Sequence, residues 1–200
     1  ALTLSQADQL KKLCARTADS REAYNQLCQG PGQQGSAQEV KYDLPDGQTI
    51  SVSSEGYQVA EALMRPEIMQ QWPGCRGHAG LQTVGPGLAQ AVADCIANTC
   101  ALDLLNRRSG HSKNILVCGG GALIPGLADR VLSEVKELIH ADQTASLCPV
   151  PEYLEPEHTI EHMAWAGGAV LGRVLATAGA WITKSEYDEV GPSVVHRKCS

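Results

Sequence analysis

Two short stretches carry residue types that could do chemistry. The first is His158-Thr-Ile-Glu161-His162, which matches the inverted zinc-hydrolase pattern His-x-x-Glu-His. On a helix the two imidazoles would share one face as metal ligands, and the carboxylate between them would act as general base. Glu186 or Glu189 is the downstream carboxylate that could supply a third ligand. Pro151 and Pro156 crowd the upstream side, and patterns this short arise by chance, so a solvated surface segment competes with the zinc reading. The second stretch is Gly119-Gly120-Gly121, directly after the apolar run Ile115 to Cys118. Three residues without Cβ let a backbone come close to a ligand, and the N-terminus of the helix that follows would favour an anion. The turn follows neither the dinucleotide fingerprint nor the phosphate-loop pattern ending in Gly-Lys-Ser/Thr. A tight structural turn and a nucleotide contact both stay open.

Other constellations are weaker. No Gly-x-Ser-x-Gly elbow marks a nucleophilic serine, and no cysteine stands in a context that marks it as a nucleophile. The eight cysteines, Cys14, Cys28, Cys75, Cys95, Cys100, Cys118, Cys148 and Cys199, include no Cys-x-x-Cys pair. With no signal peptide and no apolar run of membrane-spanning length, they read as reduced thiols of a cytosolic or nuclear protein, a disulfide framework being the alternative. The chain starts at Ala1 rather than Met, which points to a processed or partly represented N-terminus.

The elements that must position these residues follow from periodicity. Apolar residues at spacings of three and four predict one helix over 4–28, with Ser5 as its N-cap. Gly30 to Gln38 reads as a flexible connection. Val40 to Ser54 alternates around Pro45-Asp46-Gly47 and predicts a hairpin. Gly56 to Met64 reads as a short strand leading into a helical turn, and Arg65 to Gly80 as a Pro/Gly-rich loop. A helix is expected from Gly87 to Arg107. Ile115 to Cys118 is apolar throughout, the mark of a strand buried on both faces. After Pro125-Gly126 comes a helix with the stripe Leu127, Val131, Val135, Leu138. Strand, glycine turn and helix make one unit of an α/β fold. Ser146 to Glu152 is a further strand candidate. Met163 to Gly179 is a small-residue helix in which Gly167 and Gly168 would allow close packing.

Composition bounds the function. Of the 200 residues 43% are hydrophobic and 19% charged, ordinary for a globular chain. Aromatics are 4% with no Phe, so Leu, Val, Ile and Ala must fill the core. A net charge of −6 argues against general affinity for nucleic acid or anionic membrane, which need a basic surface.

The order of the pieces is specific. "YDLPDGQTISVSSEGYQVAEALMRPEI", "NILVCGGGALIPGLADRVLSEVKELI", "MAWAGGAVLG" and "WITKSEYDEVGPSVVHRKCS" closely resemble, in that order, the C-terminal half of actin and actin-related proteins. The last twenty residues are similar to conventional actin, with Ser200 in place of the usual Phe. The resemblance implies a ribonuclease-H-like α/β fold, here partial and lacking the N-terminal half. Residues 1–69 would correspond to subdomain 4, 70–160 to later subdomain 3, and 161–200 to the final piece of subdomain 1.

By the same resemblance Gly119, Gly120, Gly121 and Leu123 would meet the adenosine end of ATP or ADP. Gly121 and Ile124 stand where actins usually have Thr and Tyr. Lys11 falls where a nucleotide-contacting Glu is expected, and Glu161 near where a Lys approaches the adenine. These reversals weigh against ordinary ATP binding, since an unpaired buried charge is costly. No segment resembles the family's phosphate-binding hairpins or catalytic residues, so no cofactor is expected on this chain alone and no catalysis. ATP or ADP would require an N-terminal half. Ala166, Val170, Leu171 and Val174 would line one wall of the hydrophobic cleft that protein partners enter. The loop after Arg65 is longer than the plug loop that actins place between filament strands, which weighs against conventional polymerisation.

The leading expectation is a divergent, truncated actin-like protein, a non-catalytic structural or interaction subunit of a large cytoskeletal or axonemal assembly. It is expected to be unstable as a monomer and to need a partner that completes its sheet. The alternatives are the C-terminal part of an actin-family ATPase in the cytoplasm and a nuclear actin-related subunit of a chromatin-remodelling complex.

Overall fold

A computed structural model describes residues 2–28, 39–45, 47–72, 85–102, 111–150 and 156–198. The first helix, α1 (Leu4–Cys14), is capped by Thr3, two residues before the expected Ser5 cap. Thr3 Oγ1 accepts the Gln6 N–H at 3.3 Å while Gln6 Oε1 accepts the Thr3 N–H at 2.8 Å, a reciprocal capping box. The single helix expected over 4–28 is in fact broken. Ala15 turns extended, with ψ 128, and α2 (Arg21–Cys28) restarts where Ser20 Oγ accepts the Ala23 N–H at 3.1 Å. Tertiary bonds replace helical ones across the break. The Arg16 N–H donates to Gly56 O at 3.1 Å and the Thr17 N–H to Pro125 O at 3.0 Å. Cys14, Ala15 and Ala18 are buried by this detour.

The hairpin forms as expected. Strands β1 (Val40–Asp43) and β2 (Thr49–Val52) pair antiparallel with Val40 opposite Val52, and the Leu44 N–H donates to Gln48 O at 2.7 Å across the turn. Gly56 opens no strand. Helix α3 (Glu55–Met64) already runs from Glu55, because Gly56, Ala60, Glu61 and Met64 recur at helical spacing and are buried together. A Cβ at Gly56 would collide with the Cys14 carbonyl, so glycine is what lets α1 and α3 meet there. A 3₁₀ turn, Pro66–Gln71, follows. The connection over 30–38 and the rest of the loop, 73–80, lie outside the described residues.

Helix α4 (Leu88–Leu102) packs along α5 (Leu127–Leu138). The expected extension of α4 to Arg107 lies outside the described residues. Between the two helices Met64, Ala89, Ile96, Ile115, Leu127, Val131, Val135 and Ala145 form a core. Leu138, the end of the expected stripe, is exposed. The doubly buried strand at Ile115 to Cys118 is corrected by the structure. It forms one parallel bridge, Ile115 to Leu147, with the Ile115 N–H donating to Ser146 O at 3.1 Å and the Cys148 N–H to Ile115 O at 2.8 Å. Ile115 is buried, but Leu116 and Cys118 are exposed, because among the described residues nothing packs on their face. Over its described part, 146–150, the expected second strand reduces to the same bridge, and residues 151–152 lie outside the described residues.

Helix α6 (Pro156–Thr177) starts seven residues earlier than expected. Gly167 and Gly168 have nothing within 4 Å of the position a Cβ would take, so among the described residues they serve no close packing. Two short helices end the chain, α7 (Lys184–Val190) and α8 (Val194–Lys198). Thr183 and Glu186 form a second capping box, and Lys198 Nζ reaches back to Glu186 Oε1 at 2.7 Å and Oε2 at 2.8 Å. Those contacts, the Lys198 hydrogen bond first, hold the Glu186 carboxyl down at about 2.

One polar group joins the elements. The Arg130 side chain, 1% exposed, donates through Nη1 to Ala18 O at 2.8 Å and through Nε to Glu134 Oε1 at 2.7 Å; its Nη2 lies 3.8 Å from Glu61 Oε2. Glu61, also 1% exposed, pairs with Arg65 through its other oxygen. Arg65 in turn lies over the Tyr24 ring, 5.3 Å from its centroid. Burial, and then a hydrogen bond to Cys28, push the Tyr24 hydroxyl up to about 12.

Removing one partner of a buried ion pair costs about 3–5 kcal/mol. Arg130→Met is therefore expected to speed amide exchange in α3 and α5 by about two orders of magnitude or more, and adding Glu61→Met to recover part of the loss. Equal additive losses, read by hydrogen exchange mass spectrometry, would show that the two charges do not interact. The depressed Glu186 carboxyl contributes stability above its unfolded pKa, and this is lost as pH falls from about 4.5 through 2. Its carboxyl carbon resonance should titrate with a midpoint far below 4.5, returning toward that value in Lys198→Gln.

Candidate functional site

The glycine turn is built by backbone bonds at both ends. Gly119 has φ +94, a conformation open to glycine, and begins the 3₁₀ segment Gly120–Leu123. The Ala122 N–H donates to Gly119 O at 3.0 Å, and the Gly119 N–H to Ile160 O of α6 at 2.8 Å. The turn thus lies against the first turns of α6, next in sequence to Glu161. A Cβ at Gly119, Gly120 or Gly121 would meet nothing within 4 Å. Among the described residues the space above all three glycines is open, and Leu123 at its edge is partly exposed. The structure therefore brings together Gly119, Gly120, Gly121 and Leu123 in one open turn, with the α6 residues 160 and 161 beside it.

Lys11 faces another charge. Its Nζ lies 2.6 Å from Asp8 Oδ1, and Lys12 Nζ lies 3.3 Å from Asp8 Oδ2. The Lys11 hydrogen bond, followed by that of Lys12, holds the Asp8 carboxyl below its ordinary value. On α6, Glu161 and His162 are exposed and 3.8 Å apart. The His158 backbone is helical, but its side chain lies outside the described residues. Among the described residues no three His, Cys, Asp or Glu side chains gather as metal ligands.

The second candidate is the surface of α6. Val170 is 67% exposed, Leu171 56% and Val174 56%, with Ala166 partly covered on the same side. Trp165, 75% exposed, points away from that side by its helical position. The N-terminal turns, with buried Thr159, are the covered part of this helix. An apolar helix exposed on more than one face is built to be covered. No described helix is long and apolar enough to cross a membrane.

A third feature escaped sequence reading. Asp19, Ser20, Arg21 and Glu22 face Arg130, Ser133, Glu134 and Glu137 across a polar cleft of about 350 Å³, its floor formed by the Arg130 hub. The available signal was Arg130 itself, three residues after Leu127 and beside Val131 on the stripe that α5 buries.

The order of these pieces in the sequence agrees with what is found among known proteins. The family model described as Actin matches residues 6–200. Actin-related protein 7 of Oryza sativa subsp. indica is 31% identical over 198 residues, which is 99% of this chain and 48% of that protein. Actin-related protein 7 of Arabidopsis thaliana is 32% identical over the same extent. Actin-related protein 4 of Arabidopsis thaliana is 32% identical over 162 residues, 80% of this chain and 34% of that protein. The chain spans about half the length, or less, of these relatives. With the match running from residue 6 through the glycine turn and α6 to the final residue, the chain belongs to the actin family and its fold is actin-like.

Proposed function

We propose that the protein is a non-catalytic structural or interaction component of a multi-subunit assembly, docking through the α6 face of Ala166, Val170, Leu171 and Val174. The exposed apolar surface of α6 carries this reading. Three aliphatic side chains more than half exposed on one stretch of helix, with Trp165 on another side, are unfavourable in water and gain by association. The bridge Ile115 to Leu147, with exposed Leu116 beside it, is a second place where a partner or further segment would add strand pairing. We infer further that the fold is the C-terminal part of a ribonuclease-H-like pair of lobes, divided as 1–69, 70–160 and 161–200, and that nucleotide, where present, is ATP or ADP held jointly with residues outside this chain.

The relatives are named as actin-related proteins 7 and 4. Their names favour the actin-related side of the resemblance, and within it a nuclear subunit of a chromatin-remodelling assembly stands as a second reading beside a cytoskeletal or axonemal one. Co-purification with a helicase-associated helix distinguishes that assembly from the others.

The test is native mass spectrometry of the protein from its own cells, followed by denaturation to weigh each component. The expected result is release from a larger complex with no stoichiometric adenine nucleotide. Val170→Asp/Leu171→Asp should weaken that association by about 100-fold or more, because two carboxylates would be buried unpaired. A free wild-type chain, or a chain carrying one hydrolysable ATP, would overturn the proposal.

A further inference from the structure

We propose that the C-terminal segment is a charge-latched strap, in which Lys198 is the latch that ties α8 back to the start of α7 and fixes Trp181 against α6. Three acceptors converge on one ammonium. Lys198 Nζ lies 2.7 Å from Glu186 Oε1 and 2.8 Å from Glu186 Oε2, and donates to the Trp181 carbonyl at 2.8 Å. The Glu186 carboxylate is itself held in place, accepting from the Thr183 N–H at 2.9 Å and Thr183 Oγ1 at 3.0 Å. The latch therefore closes on a preformed cap rather than on a free side chain.

The tail reaches the latch by a defined path. Gly191, at φ +75, ends α7 with its N–H on Tyr187 O at 2.8 Å, and Pro192 prevents helical continuation. Val194, fully buried at the start of α8, is the one apolar anchor among the described residues of the tail. Val190 and Val195 are exposed, so the remaining hold is largely the ion pair.

At the other end, the Trp181 ring lies 3.5 Å from where a Cβ on Gly172 would sit. Gly172 directly follows Leu171. The latch thus sets the position of a large aromatic ring at the margin of the exposed α6 face, and its closure depends on no partner. Because the pair is partly open to solvent, its attraction is screened in part by salt. The strap is closed at low ionic strength and loosened by any change that removes the Lys198 or Glu186 charge.

The test is a double-mutant cycle on the full protein. The variants are Lys198→Gln, Glu186→Gln, both together, and Lys198→Arg. Amide exchange over 183–198 and the fluorine resonance of 5-fluorotryptophan at Trp181 are the readouts. Each single Gln variant should speed exchange over 191–198 by about tenfold or more and shift the Trp181 resonance. The double variant should be no looser than either single, and Lys198→Arg should stay close to wild type. Unchanged exchange in Lys198→Gln, or additive effects in the double variant, would overturn the strap. If Lys198→Gln also loosens α5, the cycle still decides, because global loosening is additive and loss of one shared contact is not.

Discussion

The packing of the described residues depends on the burial of the Arg130 guanidinium. A cation removed from water has to be surrounded by acceptors, and its fixed, forked geometry dictates where they stand. Ala18 O and the Glu134 carboxylate accept its hydrogen bonds, and the Glu61 carboxylate stands 3.8 Å from Nη2 as a charge partner without a hydrogen bond. These groups come from the α1–α2 connection, α5 and α3, so placing partners around one charge brings the three together. A continuous first helix would keep the Ala18 carbonyl in its own hydrogen-bond ladder. The break after Cys14 frees that carbonyl and lets Thr17 bond to Pro125. Such a buried pair adds little net stability compared with an apolar substitute, but it penalises every arrangement that leaves a charge unpaired. Its role here is to fix which segments meet.

The apolar core is one-sided around that hub. Val131 and Val135 of α5 are fully covered by α4 and by Ile115, whereas among the described residues α6 is covered mainly at its N-terminal turns, with Trp181 against Gly172 further along. Both helices carry aliphatic residues at helical spacing, but they differ in how those residues are distributed around the axis. α5 is amphipathic and presents Asp129, Ser133 and Lys136 outward, so a single covered stripe suffices. α6 has Ala, Gly, Val and Leu around most of its circumference, and one described contact region cannot cover them.

How far the sequence could be read follows the same division. The hairpin was legible because its turn chemistry is local: Gly47 takes φ +81, and the flanking residues alternate. The α5 stripe was legible because periodicity and burial coincide over Leu127, Val131 and Val135. The break at Ala15 and the helix starting at Glu55 were not, because both are decided by contacts distant in sequence, between Arg16 and Gly56, Thr17 and Pro125, and Ala18 and Arg130, the last 112 positions apart. Gly56 looks like a strand or turn residue in isolation; in the structure it is the point where the Cys14 carbonyl meets α3. The run Ile115 to Cys118 was misread for the converse reason. Four apolar residues predict two covered faces, and the described residues supply one. The glycine turn was located, but its openness is a property of what stands above it, which no local pattern encodes.

That openness bears on the two charge reversals. In an enclosed adenosine pocket, Lys11 and Glu161 would be desolvated, and each would need a new partner or would carry a penalty of several kcal/mol, on the order of 2–7 for even a neutral polar group. Here neither is enclosed. Lys11 is half exposed and held by Asp8, one turn earlier on its own helix, while Glu161 stands in solvent beside His162. Local pairing and hydration make both substitutions cheap in this conformation. A base settling over Gly119 to Gly121 would have to reverse that, stripping water from Glu161 without bringing it a cation. The electrostatics of the turn thus favour a surface left open to solvent or covered by a protein group that can donate to the carboxylate.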